Sequence, residues 1–103
     1  MSDRQSLPYT EATLMEVQRH ASILPNGLAH FSRSSMTVNG LTIPPNTIYH
    51  CLYAEVMKGD HWGDGSAFRP SRFLGSDGVV RKDERLIPFS VGKRQCPGEN
   101  LAR

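Results

Sequence analysis

The residues best placed to do chemistry lie near the C-terminal end. There Phe89-Ser90-Val91-Gly92-Lys93-Arg94-Gln95-Cys96-Pro97-Gly98-Glu99 sets one cysteine between two glycines, with two cations just before it. A cysteine loses its proton more readily beside Lys or Arg and at a helix N-terminus, where unpaired N–H groups and the helix dipole favour negative charge. Pro97 suits the first position of a helix, because the N–H it lacks would have no intrahelical partner there. Glu99-Asn100-Leu101-Ala102-Arg103 reads as the opening turn of that helix. Gly92 can take the positive φ of a tight turn, and Gly98 lets a flat group approach the backbone closely. The loop is thus built to hold a thiolate, as a metal ligand or a redox-sensitive sulfur. Its plain alternative is a surface glycine turn with a structural cysteine.

Other candidate residues are weaker on their own. Glu16 and Arg19, three apart on a helix, are neighbours on one face, and taken alone they read as an ordinary solvent-exposed pair. Two cysteines with no paired spacing, Cys51 and Cys96, do not make a disulfide scaffold. With His20, His30, His50 and His61 they form no zinc-ligand pattern. Cys51 reads as a small buried hydrophobe. Acids and bases are interspersed, and the net charge of +2 gives no electrostatic case for nucleic acid. The mixed run Arg81-Lys82-Asp83-Glu84-Arg85 reads as a solvated loop. No apolar stretch has the length of a membrane span, and no signal peptide precedes Leu7.

These groups need elements to carry them. At 103 residues the chain has the length of one small domain, but 38% hydrophobic content with nine glycines and seven prolines points to much turn and irregular structure. The first element is a helix over about 9–23, capped by Ser6 or Thr10, with Leu14, Val17, Ala21 and Leu24 as its buried stripe. Pro25 stops it and Asn26-Gly27 turns the chain. Leu28-Ala29-His30-Phe31 begins extended chain. Met36-Thr37-Val38 and Leu41-Thr42-Ile43 flank Asn39-Gly40, the signature of a hairpin with a type I′ turn. The β-branched and aromatic run over 47–53 reads as another strand, and 54–58 as one helical turn. From Gly63 to Arg85 the chain is turn-rich, broken most clearly at Gly75-Ser76-Asp77-Gly78. Trp62, Phe68 and Phe73 are the expected anchors of this stretch. The chain opens on a polar stretch and closes one turn into a helix, so it reads as an internal fragment of a longer protein.

The spacing F-x-x-G-x-R-x-C-x-G over 89–98 resembles the haem-binding loop of the cytochrome P450 family, the haem-thiolate monooxygenases. That resemblance implies that Cys96 is the axial thiolate on haem iron, pushing electron density onto the metal to favour O–O cleavage. It implies that Arg94 pairs with a haem propionate and that Phe89 packs near the proximal side of the macrocycle. Gly92 and Gly98 belong to the same cofactor loop, and His30 falls where the family places a propionate-reaching His or Arg. Glu16 and Arg19 then match the E-x-x-R pair of the family's K helix. Arg72, in Phe68-Arg69-Pro70-Ser71-Arg72-Phe73, is the third member of a buried, structural charge network. This segment resembles P-E-R-F, with Ser71 in place of the acid. Upstream, Val56, Lys58 and Gly59 replace the first three named residues of H-x-D-P-x-x-W while Trp62 keeps its place, and Gly65 stands where a proline is common.

The resemblance runs from the helix carrying Glu16 to the helix begun at Gly98. It implies a partial domain over 1–103, an α+β fragment of the mainly-α cytochrome P450 fold. The parts are one long helix, a small β region, an irregular meander and the cysteine loop. The likeness is to the microsomal animal type, with 62–64 and 68–70 reminiscent of arthropod members. The implied cofactor is haem b. The implied partners are O2, a lipophilic small-molecule substrate such as a xenobiotic or steroid, and an NADPH-dependent flavoprotein reductase, with cytochrome b5 as an optional donor. Lys93, Arg81 and Lys82 are candidates for the reductase-docking face. The implied address is the endoplasmic reticulum membrane, through an N-terminal anchor outside this chain. The isolated fragment is expected to be poorly folded and inactive, because half a haem pocket cannot offset chain entropy. Two other readings stand beside this one: a cysteine-based redox or regulatory module without haem, and a non-catalytic relative that keeps the fold.

Overall fold

A computed structural model describes residues 6–102, so the polar opening at 2–5 and the final Arg103 lie outside the described residues. Its long helix, α1, spans Pro8–Ala21. Pro8 occupies the first turn, where its fixed φ is already helical. Leu7 takes the cap position without a side-chain bond, so neither Ser6 nor Thr10 serves there. Glu11 in the first turn and Arg19 and His20 in the last complement the helix dipole. The helix ends earlier than its sequence suggests. Ser22 adopts a left-handed φ of 42° and returns its amide to the Gln18 carbonyl at 3.3 Å. The physical reason lies at Leu24, which the following Pro25 disfavours from helical geometry.

The buried face of α1 is not its apolar stripe. Leu14, Val17, Ala21 and Leu24 are all exposed, whereas Ala12, Met15, Glu16 and Arg19 are buried. Periodicity locates an apolar stripe, but the face α1 covers is set by the Pro70–Phe73 turn, whose Arg72 bonds Glu16, and by Trp62, whose ring lies under the Arg19 guanidinium. Ala12, Met15, Trp62 and Phe73 form the core, with Leu74, Val80 and Leu86 packed against it. The Trp62 and Phe73 rings meet edge-on at 5.8 Å. Phe68, expected as a third anchor, is 51% exposed and only edges onto the His20 ring. Met57, 2% exposed, is the buried side chain contributed by the next helix.

The β region comprises two separate antiparallel pairs. β1 (His30–Phe31) pairs with β4 (Ile48–Tyr49), and β2 (Met36–Val38) pairs with β3 (Leu41–Ile43). Asn39 and Gly40 both take positive φ, 49° and 80°, as the I′ turn requires. The run at 47–53 forms only two strand residues before α2 (Tyr53–Lys58) begins. Cys51 consequently sits in an uncovered link and is exposed, contrary to its expected burial. Short 3-10 turns follow at Asp60–Trp62, Pro70–Phe73 and Gly92–Arg94, and the last helix, α3, is Glu99–Ala102. The break at Gly75-Ser76-Asp77-Gly78 is a turn closed by Gly78 N–H on the Gly75 carbonyl, between bridged Leu74 and Val80.

The radius of gyration is 16.3 Å, against about 13 Å for a compact domain of about 100 residues. Such a thin body has little interior, which is why its most completely buried groups include a salt bridge. The α+β content of one long helix, small sheets and an irregular meander is the one expected from the sequence.

Candidate functional site

Two constellations carry the chemistry. In the first, the cysteine loop closes on itself through the Cys96 amide, which donates to the Phe89 carbonyl at 2.9 Å. Ser90 and Gly92 take positive φ of 66° and 79°, and these two left-handed residues fold the loop. The thiol of Cys96 is exposed. Arg94, two residues earlier, is exposed and pairs with no acid among the described residues. Pro97 and Gly98 make a turn, so Pro97 precedes the helix rather than opening it, and α3 starts at Glu99 with the Leu101 and Ala102 amides returning to the Gly98 carbonyl. A Cβ on Gly98 would meet only the Cys96 sulfur, at 3.8 Å, and one on Gly92 would meet nothing within 4 Å. The approach to the sulfur is therefore open. Gln95 reaches forward to Glu99 on the outer side.

The second constellation is a charge network beneath the meander. Arg19 clasps Glu16 with two parallel bonds, Nε to Oε2 at 2.8 Å and Nη2 to Oε1 at 2.9 Å, both residues fully buried. Glu16 Oε1 also accepts the Arg69 amide at 2.8 Å and Arg72 Nε at 3.1 Å. The remaining Arg19 donors satisfy three carbonyls, those of Met57 at 2.7 Å, Gly65 at 2.8 Å and Ala67 at 3.1 Å. Arg72 donates to the carbonyls of Trp62 and Ala67 and pairs with Asp64 at 3.0 Å. Both guanidinium carbons lie over the Trp62 ring, 5.2 Å and 5.8 Å from its centroid. Burying ions costs several kcal/mol each unless every donor and acceptor is met; here one carboxylate and two guanidinium groups meet that condition by gathering the carbonyls of an otherwise irregular chain.

The network depresses its acids. Burial opposes ionisation of Glu16, but the Arg19 bonds, the Arg69 amide and Arg72 outweigh it and hold the carboxyl below its ordinary value. At Asp64 the Arg69 hydrogen bond, helped by Arg72 against a smaller desolvation, lowers the carboxyl to about 2. A depressed folded-state value stabilises the fold when the group is ionised. That stabilisation is fully present above the ordinary values, 4.5 for Glu16 and 3.8 for Asp64, and fades as pH falls through the lowered folded-state values, about 2 for Asp64. Denaturant midpoints of the intact protein should hover near a plateau down to about pH 5 and then fall. Asp64→Asn should flatten the lower part of that decline; an unchanged acid limb in the variant would remove Asp64 from the account.

The structure brings Glu16, Arg19 and Arg72 together from positions more than fifty residues apart in the chain. Cys96, Arg94, Phe89, Gly92 and Gly98 share one loop. His30 stands elsewhere, on β1, its ring stacked on Tyr49 with centroids 5.4 Å apart and no hydrogen bond among the described residues. Of the candidate docking cations, Arg81 is held by Asp77 at 3.1 Å, while Lys82 and Lys93 are exposed. Asp64 and Arg69 escaped the sequence reading; their only signal was a spacing of five across a turn. Tyr53, whose hydroxyl lies 2.7 Å from the Ser90 hydroxyl, left no signal at all.

The family model described as Cytochrome P450 matches residues 1–103. The chain is 39% identical over 103 residues to farnesoate epoxidase of Bombyx mori, covering 100% of this chain and 21% of that protein. It is 39% identical over 109 residues to cytochrome P450 1A1 of Rattus norvegicus, and 38% identical over 104 residues to cytochrome P450 2B2 of the same species. Each covers all of this chain, with 20% and 21% of the relatives covered. The chain thus spans about a fifth of the length of the curated relatives it matches.

Proposed function

The chain belongs to the cytochrome P450 family, and on that premise we propose that it forms the proximal, haem-holding part of a longer monooxygenase, the parent protein. The observation that carries this reading is the exposed Cys96 in a loop closed on Phe89, with an exposed Arg94 two residues away. These residues fit the cofactor. Among the described residues no three His, Cys, Asp or Glu side chains cluster to hold a metal. A lone accessible sulfur would suit an iron whose remaining ligands come from the cofactor itself. A guanidinium beside it suits a carboxylate at that cofactor's rim.

In this reading Cys96 ligates the iron through its thiolate, which donates electron density to the metal. Arg94 would hold a propionate and Phe89 would pack against the haem, while His30, apart from the loop on β1, would contribute a second propionate contact only as the family resemblance implies. Gly92 and Gly98 keep Cβ atoms out of the way. The Glu16, Arg19 and Arg72 network acts as scaffold, fixing the meander that leads into the loop. Haem b bound there would supply the oxygen chemistry, in which one atom of O2 enters a lipophilic substrate and the other leaves as water. The two electrons come one at a time from an NADPH-dependent flavoprotein reductase, and the parent protein resides at the endoplasmic reticulum membrane.

The comparisons support this division of labour. Identity is nearly equal, 39% and 38%, to relatives named as a farnesoate epoxidase and as cytochrome P450 2B2. A segment that holds a shared cofactor should show such indifference, whereas one that selects substrates should not. The test is a reduced, carbon-monoxide difference spectrum of the parent protein beside Cys96→Ser. A thiolate-type Soret band in the parent, lost in the variant with at least tenfold loss of turnover, is expected. A folded parent without any haem band would overturn the reading and favour the cysteine-based redox module.

A further inference from the structure

We propose that Tyr53 is a positioning residue for the cysteine loop, holding Ser90 by its hydroxyl so that the Cys96 amide stays on the Phe89 carbonyl. This rests on the haem-thiolate reading for its consequence, though not for its geometry. Tyr53 opens α2, and its hydroxyl lies 2.7 Å from Ser90 Oγ in a half-buried contact across thirty-seven residues of sequence.

The phenol is held from behind. Its ring lies against Gly27, where a Cβ would come within 2.9 Å of Tyr53 Cε2. The next amide, Ala54, donates to the Pro25 carbonyl at 3.0 Å. Towards the other end of α2, Arg19 takes the Met57 carbonyl at 2.7 Å and the Trp62 indole N–H takes the Val56 carbonyl at 2.9 Å. The hydroxyl is therefore presented from a helix that the charge network already fixes.

What it holds is a strained residue. Ser90 carries a Cβ yet has φ of 66°, a region glycine prefers. Rotation about that bond swings the peptide unit joining Phe89 to Ser90, and its oxygen is the acceptor for the Cys96 amide at 2.9 Å. Letting Ser90 relax would draw that carbonyl off the amide and loosen the loop at the sulfur. A continuous chain of contacts thus runs from Arg19 through α2 and Tyr53 to Cys96.

The test uses the haem-loaded parent protein with Tyr53→Phe and Ser90→Ala, singly and together. Tyr53→Phe keeps the ring against Gly27 and removes only the hydroxyl. Each single change should speed hydrogen exchange of the 89–96 amides about three- to tenfold, the effect of one lost intramolecular hydrogen bond. Each should also hasten loss of the thiolate-type Soret band on standing. The double variant should do no more than either single, because both remove the same bond. Unchanged exchange in both singles, or effects that multiply in the double, would overturn the proposal. A parent with no thiolate band would instead count against the haem reading, and the exchange comparison would still decide the tether.

Discussion

Arg19→Met in the parent protein should lower folding stability by about 3–5 kcal/mol, the cost of leaving a buried ion without its partner. Glu16 would then be a fully buried carboxylate holding only the Arg69 amide and Arg72. Removing Glu16 as well would relieve that charge, and for a simple buried ion pair the apolar double replacement is often neutral. Here it should not be. Arg19 also serves the buried carbonyls of Met57 and Gly65, Ala67 still being held by Arg72, and Glu16 serves the Arg69 amide. Unmet buried backbone groups cost about 1–3 kcal/mol each. The double variant should therefore recover only part of the loss in denaturant-induced unfolding. Arg19→Lys should also fail, since an ammonium cannot make the two parallel bonds and still reach three carbonyls. Full recovery in the double variant would show that the network is only an ion pair and that the meander holds itself.

This dual role explains what could be read in advance. The hairpin was legible because Asn39-Gly40 states a backbone geometry locally, and φ of 49° and 80° follow from two residues. The turn at 75–78 was legible for the same reason. The face of α1 was not. Leu14, Val17, Ala21 and Leu24 have the right period, but burial depends on which other element arrives, and Pro70–Phe73 arrives on the side of Glu16 and Arg19. Physical reasoning applied to Glu16 and Arg19 alone favours a solvated pair; only the likeness to a family points inward, through Arg72. The cysteine loop is the opposite case. Cysteine, glycines and cations sit within ten residues, so the loop is visible as a candidate site in one dimension. Its tether to Tyr53 spans thirty-seven residues and leaves no pattern. Asp64, which supplies an acid to Arg72 where Ser71 does not, is an intermediate case. It lies within reach along the chain but across a turn whose path no local rule dictates.

The second large effect is expected at Gly65, where two stretches of backbone meet. A Cβ there would sit 1.9 Å from the Lys58 carbonyl oxygen and 2.7 Å from its carbon, so backbone would have to move. Gly59 is similarly confined, with a Cβ falling 2.5 Å from the Glu55 carbonyl. A proline at position 65 would meet the same oxygen. The two confinements differ: Gly59 is closed in by the last turn of its own helix, whereas Gly65 has no room for a side chain because the end of α2 lies against it. The same close approach brings the Met57 and Gly65 carbonyls within reach of one Arg19 nitrogen. Gly65→Ala should destabilise the parent protein by about 1–3 kcal/mol from overpacking, with more lost as the Gly65 carbonyl leaves Arg19. Gly65→Pro should be no better. Ser66→Ala, an exposed neighbour, should stay within about 0.5 kcal/mol. If Gly65→Ala behaved like Ser66→Ala, the two segments could part without strain, and the network would owe nothing to their contact. If it falls as expected, the bare backbone at Gly65 is the condition under which a single guanidinium holds both α2 and the meander.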